Sequence, residues 1–427
     1  MRSQIIGLSV LLALPVYAQS KTEVVSGNEA VANEVLVKFR GTNAPGLDQA
    51  LKATNIDNAR GVGRAGWVLL HSSTEGAASL IRNFQSRRDV AHVEPNYVVR
   101  AIDTIPDDPL WPSLYGMMRI SAPAAWDITT GWNGIVVAVV DTGFNYDHPD
   151  LVDNVWSAPA DFTVTIDGQS ITCAAGTHGF NAITRTCDPL DDHGHGTHTS
   201  GTVGAVGNNG LGVVGVNWTT SVMGVKFLNA AGSGNIADAI AGLEFIIQAK
   251  NILGLDAANV QVLSNSWGGG GFSDAFRDEL ISTLDNDMLF VAAAGNNNSN
   301  NDVNPFYPAN YDVDNVISIL ATTTTDTRAS FSNWGRNTVH LGAPGVNVLS
   351  TSRAGGYVTM SGTSMSAPHV SGAAALVLSV CWLDTRALKQ ILMDNVDPVD
   401  VLGPLTITGG RLNVYQAVYQ NLTACGP

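Results

Sequence analysis

The sequence predicts an α/β fold: a three-layer domain with a mostly parallel sheet and helices on both faces, preceded by a smaller α/β unit. Three observations lead there. Residues 135–140 form an unbroken, largely β-branched apolar run that ends at Asp141 and a turn, and residues 288–294 form a second run that ends at Gly295 and Asn296. Continuous apolar runs of this length read as strands buried on both faces, which is the mark of a parallel sheet. Third, the apolar stretch 370–380 carries Ala373, Ala374 and Ala375, small residues that let a helix backbone lie close against such a sheet.

The elements follow in order. Residues 1–18 combine Arg2, an apolar core over 5–14 and Val16-Tyr17-Ala18 before Gln19, the layout of a secretory signal peptide. That run is too short to span a bilayer. No second run reaches membrane length and the C-terminus carries no anchor tail, so a secreted, extracellular protein without a membrane partner is expected. Residues 19–101 read as the small α/β unit, with a strand at 35–39, an apolar stretch at 66–71, a helix near 77–84 and a final strand at 90–99. Residues 102–427 read as one larger domain, expected to be monomeric. The two parts differ in charge: residues 1–100 carry 11 Lys and Arg against 8 Asp and Glu, whereas the rest carries 11 against 29, about −18 net. Such a surface disfavours nucleic acid, attracts cations and complements the slightly basic first part.

Three distant segments each supply one side chain of a hydrolytic constellation. Asp141 follows the first buried strand, at the carboxyl end where an open α/β sheet forms its crevice. His195 stands in Asp192-His193-Gly194-His195-Gly196-Thr197-His198, followed by small residues suited to a tightly packed helix start. Ser364 lies between Gly362 and an apolar helix, so its hydroxyl is expected at a helix N-terminus, where backbone N–H groups favour developing negative charge. The chemistry implied is acyl transfer: Ser364 attacks, His195 takes and returns the proton, and Asp141 fixes the imidazole tautomer. A buried Asp after a strand is commonly a capping residue and a lone Gly-Thr-Ser says little, so the joint occurrence carries the reading. Asn296, ending the second buried strand, supplies an amide that can donate to an oxyanion.

With the motifs in the order Asp, His, Asn and Ser, the chain resembles the subtilisin-like serine proteases, the subtilases, from about residue 106 onward. The resemblance implies a secreted serine endopeptidase acting on extended protein and peptide substrates. It also implies that 19–101 is a propeptide, since Val90-Ala91-His92-Val93-Glu94-Pro95-Asn96 resembles the end of the family's inhibitory propeptides. This segment is expected to act as chaperone and intramolecular inhibitor until autocatalytic removal. Ser266, Trp267 and Gly268 resemble the strand that pairs with substrate and walls the first specificity pocket, Gly232, Ser233 and Gly234 the opposite edge, and Ala294 and Gly295 the segment beside Asn296. Trp267 replaces a smaller aliphatic common in the family and Phe306 falls near the pocket base, so both either reshape the pocket or pack as core. His148 and His198 look structural, as they do in the family.

The resemblance further implies a structural Ca²⁺ held by Asp108, Asp150, the Asn209 side chain and the carbonyls of Val206, Leu211 and Val213, an all-oxygen set of the kind calcium prefers. Asp188, Asp191 and Asp192 either hold a second ion or shape the loop before His195. Four cysteines without metal-ligand spacing suit an oxidising compartment and admit three pairings. Cys173 with Cys187, closing a local loop, and Cys381 with Cys425, tying down the C-terminal tail, are expected. The loop over 156–190 lengthens the Asp-to-His spacing relative to compact family members, as an exosite or as a stapled surface insertion. Sequons stand at Asn217, Asn297 and Asn421. Two other functions fit the scaffold: acyl transfer to an amine, and binding without catalysis. The second would ordinarily show a lost Ser, His or Asn, and this chain keeps all three.

Overall fold

In the computed structural model, which describes residues 21–25, 27–40, 55–99 and 104–425, the chain separates into the units Met1–Ile102 and Asp103–Pro427. The expected signal peptide and the 101/102 boundary lie outside the described residues.

The first unit is an antiparallel sheet of β1 (Thr22–Val25), β2 (Asn28–Phe39), β3 (Asn58–Val62), β4 (Trp67–His71) and β5 (Val90–Tyr97), with helix α1 (Ala77–Gln85) packed on it. Alternation along β2 buries Val35 and Val37 against Leu80 and Phe84 of α1. The sequence-based strands and helix are all present. Its two missed strands, β1 and β3, are short and carry polar residues without a clean period, so local pattern alone does not announce them.

The second unit opens with two short helices, α2 (Tyr115–Arg119) and α3 (Ala122–Trp126), before β6 (Gly131–Asp141). The chain then forms β7 (Phe162–Ile166), β8 (Gln169–Cys173), β9 (Gly179–Asn181), α4 (His195–Gly204), β10 (Thr219–Lys226), α5 (Ile236–Leu253), β11 (Val260–Asn265), α6 (Asp274–Asp285) and β12 (Leu289–Ala293). After β13 (Val316–Thr322) and β14 (Leu341–Pro344) come the hairpin β15 (Val348–Thr351) and β16 (Tyr357–Met360), then α7 (Thr363–Leu378), α8 (Thr385–Asp394), β17 (Val396–Pro398), β18 (Gly410–Leu412) and α9 (Val414–Cys425). The main sheet runs β17-β18-β14-β13-β12-β11-β6-β10-β9 and is parallel except at β17.

The period-two alternation of β6 builds the three layers. Val137 and Val139 face one core with α4, α7 and α9, while Val136, Ala138 and Val140 face a second core with α5 and α6. Helix α7 is buried almost all round, which its small and apolar residues permit and which its buried Ser366, His369 and Ser371 allow by bonding backbone carbonyls. β10 and β11 flank β6 on opposite sides and run parallel to it, so Asp141 lies at the carboxyl edge of the sheet, where open α/β sheets form their ligand crevice.

Helix α5 is likewise apolar on nearly every face and needs cover on the side away from the sheet. The 156–190 segment supplies it. Val164 and Ile166 of β7 are buried, Phe162 and Phe180 both lie against Phe245, the latter stacked at 4.6 Å, and Gln248 of α5 pairs with both backbone groups of Thr165 at 2.8 Å. The insertion is therefore part of the fold rather than a free loop. Disulfides join Cys173 to Cys187 and Cys381 to Cys425, as expected. Asn217 and Asn421 are fully buried with their amides bonded to backbone carbonyls, so neither is presented as a glycan acceptor in the folded chain.

Candidate active site

Asp141, the last residue of β6, is fully buried, and its two oxygens stand 2.8 and 3.0 Å from Nδ1 of His195, the first residue of α4. A carboxylate only accepts, so Nδ1 carries the proton and Nε2 is left as the free base. Close approach depends on glycine: a Cβ at Gly196 would lie 2.0 Å from the Gly143 carbonyl oxygen. Burial alone pushes the His195 pKa down, but the charge and hydrogen bond of Asp141, with the charge of Asp191, outweigh it and raise the value above the ordinary 6.5.

Asp191 shapes the turn before His195. Its buried carboxylate accepts from the Thr142 hydroxyl, from the N–H groups of His193, Gly194 and Thr197, and from the Thr197 hydroxyl. Asp192 instead takes Lys226 Nζ at 2.6 Å, and that ammonium also donates to the carbonyls of Thr142 and Leu228 at 2.8 Å. Asp188 accepts from Tyr146 at 3.0 Å. The three acids thus point to separate partners and serve the loop, and among the described residues no group of three or more His, Cys, Asp or Glu is gathered as a metal site. Of the two alternatives for these acids, the bonds of Asp191 favour the shaping of the loop; Lys226 was not singled out from sequence, because its partners come from distant segments.

Ser364 stands in the first turn of α7. Pro368, four residues on, has no N–H to give the Ser364 carbonyl, and the Ser266 hydroxyl takes that acceptor at 2.8 Å. Ser364 Oγ returns the contact by donating to the Ser266 carbonyl at 3.0 Å. This reciprocal pair ties the end of β11 to the start of α7. Beside it, Gly295 adopts φ +108°, and a Cβ there would meet Asn333 Nδ2 at 2.5 Å. The following Asn296 has its side-chain oxygen held by the Thr363 N–H at 2.9 Å and hydroxyl at 3.0 Å. With the oxygen committed, the amide has only N–H left to offer a ligand.

These groups share a cleft of about 640 Å³ whose lining includes His195, Asn296 and Ser364, with Gly232, Ser233 and Gly234 on one edge and Ser266, Trp267 and Gly268 on the other. Phe306 lies under Gly268 and Gly295. Trp267 does both things foreseen for it: it lines the cleft and packs edge-on against Phe227 and Phe276. Ala294 departs from expectation. Alternation turns it away from the cleft into a small core with Leu320, Val339 and Leu402, and its N–H and C=O bond Ile319 and Asn301.

A model of the Subtilase family matches residues 132–410. The chain belongs to this family. A thermophilic serine proteinase of Bacillus sp. (strain AK1) is 33% identical over 91% of this chain and 88% of its own. Thermitase of Thermoactinomyces vulgaris is 31% identical over 73% of this chain and 99% of its own. Among solved structures, a protease of Pseudoalteromonas arctica superposes with a TM-score of 0.62 at 27% identity, covering 74% of this chain and all of that one. A cold-adapted subtilisin-like serine proteinase superposes with a TM-score of 0.52 at 30% identity, over 66% of this chain and 90% of that one. The subtilase is accordingly a serine-type endopeptidase by family. Among its described residues no helix is long and apolar enough to cross a membrane.

Three of the subtilase's other histidines, His148, His198 and His369, carry structural duties. His148 bonds the Gly356 carbonyl and the Asp150 N–H. His198 and His369 are buried on backbone carbonyls, and burial pushes both down to about 4, so they are neutral.

Asp108 and Asp150, both buried, come together beside the 206–213 loop. Asp108 takes the Asn208 N–H through one oxygen at 2.7 Å, and its other oxygen is buried without a partner. Asp150 accepts from Asn209 Nδ2 and the Val213 N–H at 2.9 Å. Burial first, and for Asp108 the Asp150 charge as well, raise both carboxyl pKa values. Tyr357, also bonded to Asp150, is pushed up to about 12 by burial and by these carboxylates. Two desolvated carboxylates and an orphaned oxygen fit a hard cation. Asn209 turns its nitrogen toward Asp150 and its oxygen to the Leu211 N–H at 2.8 Å; a half-turn of the amide exchanges the two.

Proposed function

We propose that this subtilase is a secreted endopeptidase that hydrolyses extended polypeptides through Asp141, His195 and Ser364, with Asn296 as oxyanion donor, after autocatalytic removal of residues 19–101. The observation that carries the reading is the Asp141–His195 pair, at 2.8 Å, in one cleft with Ser364 and the committed amide of Asn296.

Ser364 Oγ turns from the Ser266 carbonyl to give its proton to His195 Nε2 as it attacks the scissile carbonyl. The hydroxyl proton can serve one acceptor at a time, and such bonds commonly tighten only with substrate bound. The imidazolium so formed is stabilised by Asp141 and returns its proton to the leaving amine. Negative charge on the former carbonyl oxygen is met by the Asn296 N–H and the first turn of α7. The cleft edges at Gly232–Gly234 and Ser266–Gly268 suit a substrate held as an added strand. Asp108, Asp150, Asn209 and the carbonyls of Val206, Leu211 and Val213 would hold Ca²⁺, which supplies the positive charge that the paired carboxylates need.

Asn296→Ala tests the reading. Peptide hydrolysis should show kcat reduced by about 10²–10³ with KM little changed, the range established for the matching amide of a subtilisin. A kcat within a few-fold of the parent would remove Asn296 from the reaction.

A further inference from the structure

We infer that Arg185, on the disulfide-stapled insertion, is a positioning residue for the substrate edge at Gly232–Gly234. The inference rests on the proteolytic reading above and concerns how one edge of that cleft keeps its place.

The edge is weakly tethered. Residues 231–235 are all exposed, and the turn they form is held by its own bonds: the Asn229 N–H to the Ser233 carbonyl at 2.9 Å, and the Asn229 side chain accepting from Ala231 and Ser233. Its upstream end is fixed because it leaves β10. Its downstream end is fixed at Asn235, the N-cap of α5, whose side-chain oxygen accepts from the Asp238 N–H at 2.9 Å and whose amide donates to Asp238 Oδ2 at 2.6 Å. The other oxygen of Asp238 is taken by Arg185 Nη1 at 3.0 Å.

Arg185 reaches this point from 53 residues away in a backbone conformation that arginine rarely adopts, φ +57°. The turn that imposes it is closed by Asn181 and Thr186 and begins at the last residue of β9, the strand that joins the main sheet. The rest of the guanidinium grips Asp167 Oδ2 through Nε at 3.0 Å and Nη2 at 2.6 Å. Asp167 and Gly168, both with positive φ, form the tight turn of the β7–β8 hairpin, and Cys173 at the end of β8 is bonded to Cys187, two residues beyond Arg185. One planar fork therefore joins the hairpin turn, the stapled segment and the first turn of α5, the helix that the edge leads into. A fork of this shape cannot be replaced by a point charge without loss of one partner.

Removing the fork should free the downstream end of the edge and weaken its pairing with a long substrate while leaving the reacting groups in place. The test compares a peptide that extends about four residues ahead of the scissile bond, and so reaches the edge, with a single-residue acyl ester that reaches only the first pocket. In Arg185→Gln, KM for the peptide should rise about three- to tenfold with kcat held within about twofold, and kinetics on the ester should be unchanged. Arg185→Gly relieves the positive-φ backbone while still deleting the fork, and should show the same split. Unchanged peptide KM in both variants, or equal losses on peptide and ester, would overturn the assignment. A parent protein that cleaves neither substrate would overturn the proteolytic reading itself, and this inference with it.

Discussion

In the proposed mechanism, the Asp141 carboxylate decides at what pH His195 can act as a base. Its charge stabilises the imidazolium, so the His195 pKa lies above the ordinary 6.5 although burial opposes it. A raised folded-state pKa has a defined sign. The protonated ring contributes stability that is fully present below the unfolded value and is lost as pH rises through the folded one. Catalysis needs the neutral ring and runs the opposite way, so activity appears where that contribution is disappearing. The acid limb of kcat/KM should therefore fall above pH 6.5 in the parent. In Asp141→Asn it should move to lower pH, with kcat reduced by about 10⁴ as the wrong tautomer is admitted. A pH–rate profile with the limb unmoved in the variant would contradict the pairing. Asp141, His195, Asn296 and Ser364 were legible because each closes or opens an element with its own local signature. The bonds that hold them were not: Thr142 with Asp191, Lys226 with Asp192 and the Ser266–Ser364 exchange each join segments far apart in sequence, and no local pattern records such a meeting.

At the scale of elements, β6 and α7 could be read early because burial on all sides leaves a continuous apolar signal, while their placement against each other waits on packing. Ala374, fully buried in α7, sits where the helix lies against the sheet. Ala374→Leu is expected to overpack this contact, costing about 1–3 kcal/mol and lowering the thermal midpoint; an unchanged midpoint would refute the close approach. The β7–β8 hairpin was readable in principle, since an Asp-Gly pair between alternating FTVTI and QSITC is a strong short hairpin signal. What sequence alone could not supply is its purpose, because the need for cover belongs to α5, some 70 residues downstream of the hairpin turn.

The whole molecule carries an acidic second unit, and the burial of Asp108 with Asp150 concentrates part of that charge where water cannot screen it. Carboxyls whose folded pKa values are raised contribute stability at low pH that is lost as pH rises through those values. A bound cation reverses the loss, and it competes with protons for the same oxygens. Chelation should consequently lower the thermal midpoint more at about pH 8 than at about pH 5, with kcat at moderate temperature nearly unchanged. A midpoint indifferent to chelation would remove the cation from Asp108 and Asp150. The family model and the relatives account for the second unit's chemistry in general terms; the proposed release of the first unit by that chemistry goes furthest beyond them. It is tested most directly by producing the full precursor beside Ser364→Ala and following chain mass together with hydrolysis of a denatured protein over time. The parent should lose about 80 residues beyond the signal peptide, matching 19–101, and become proteolytic, while Ser364→Ala remains uncut and inert. Two chains that behave alike would mean that Ser364 is not the nucleophile and that the first unit is not released by the chain's own activity.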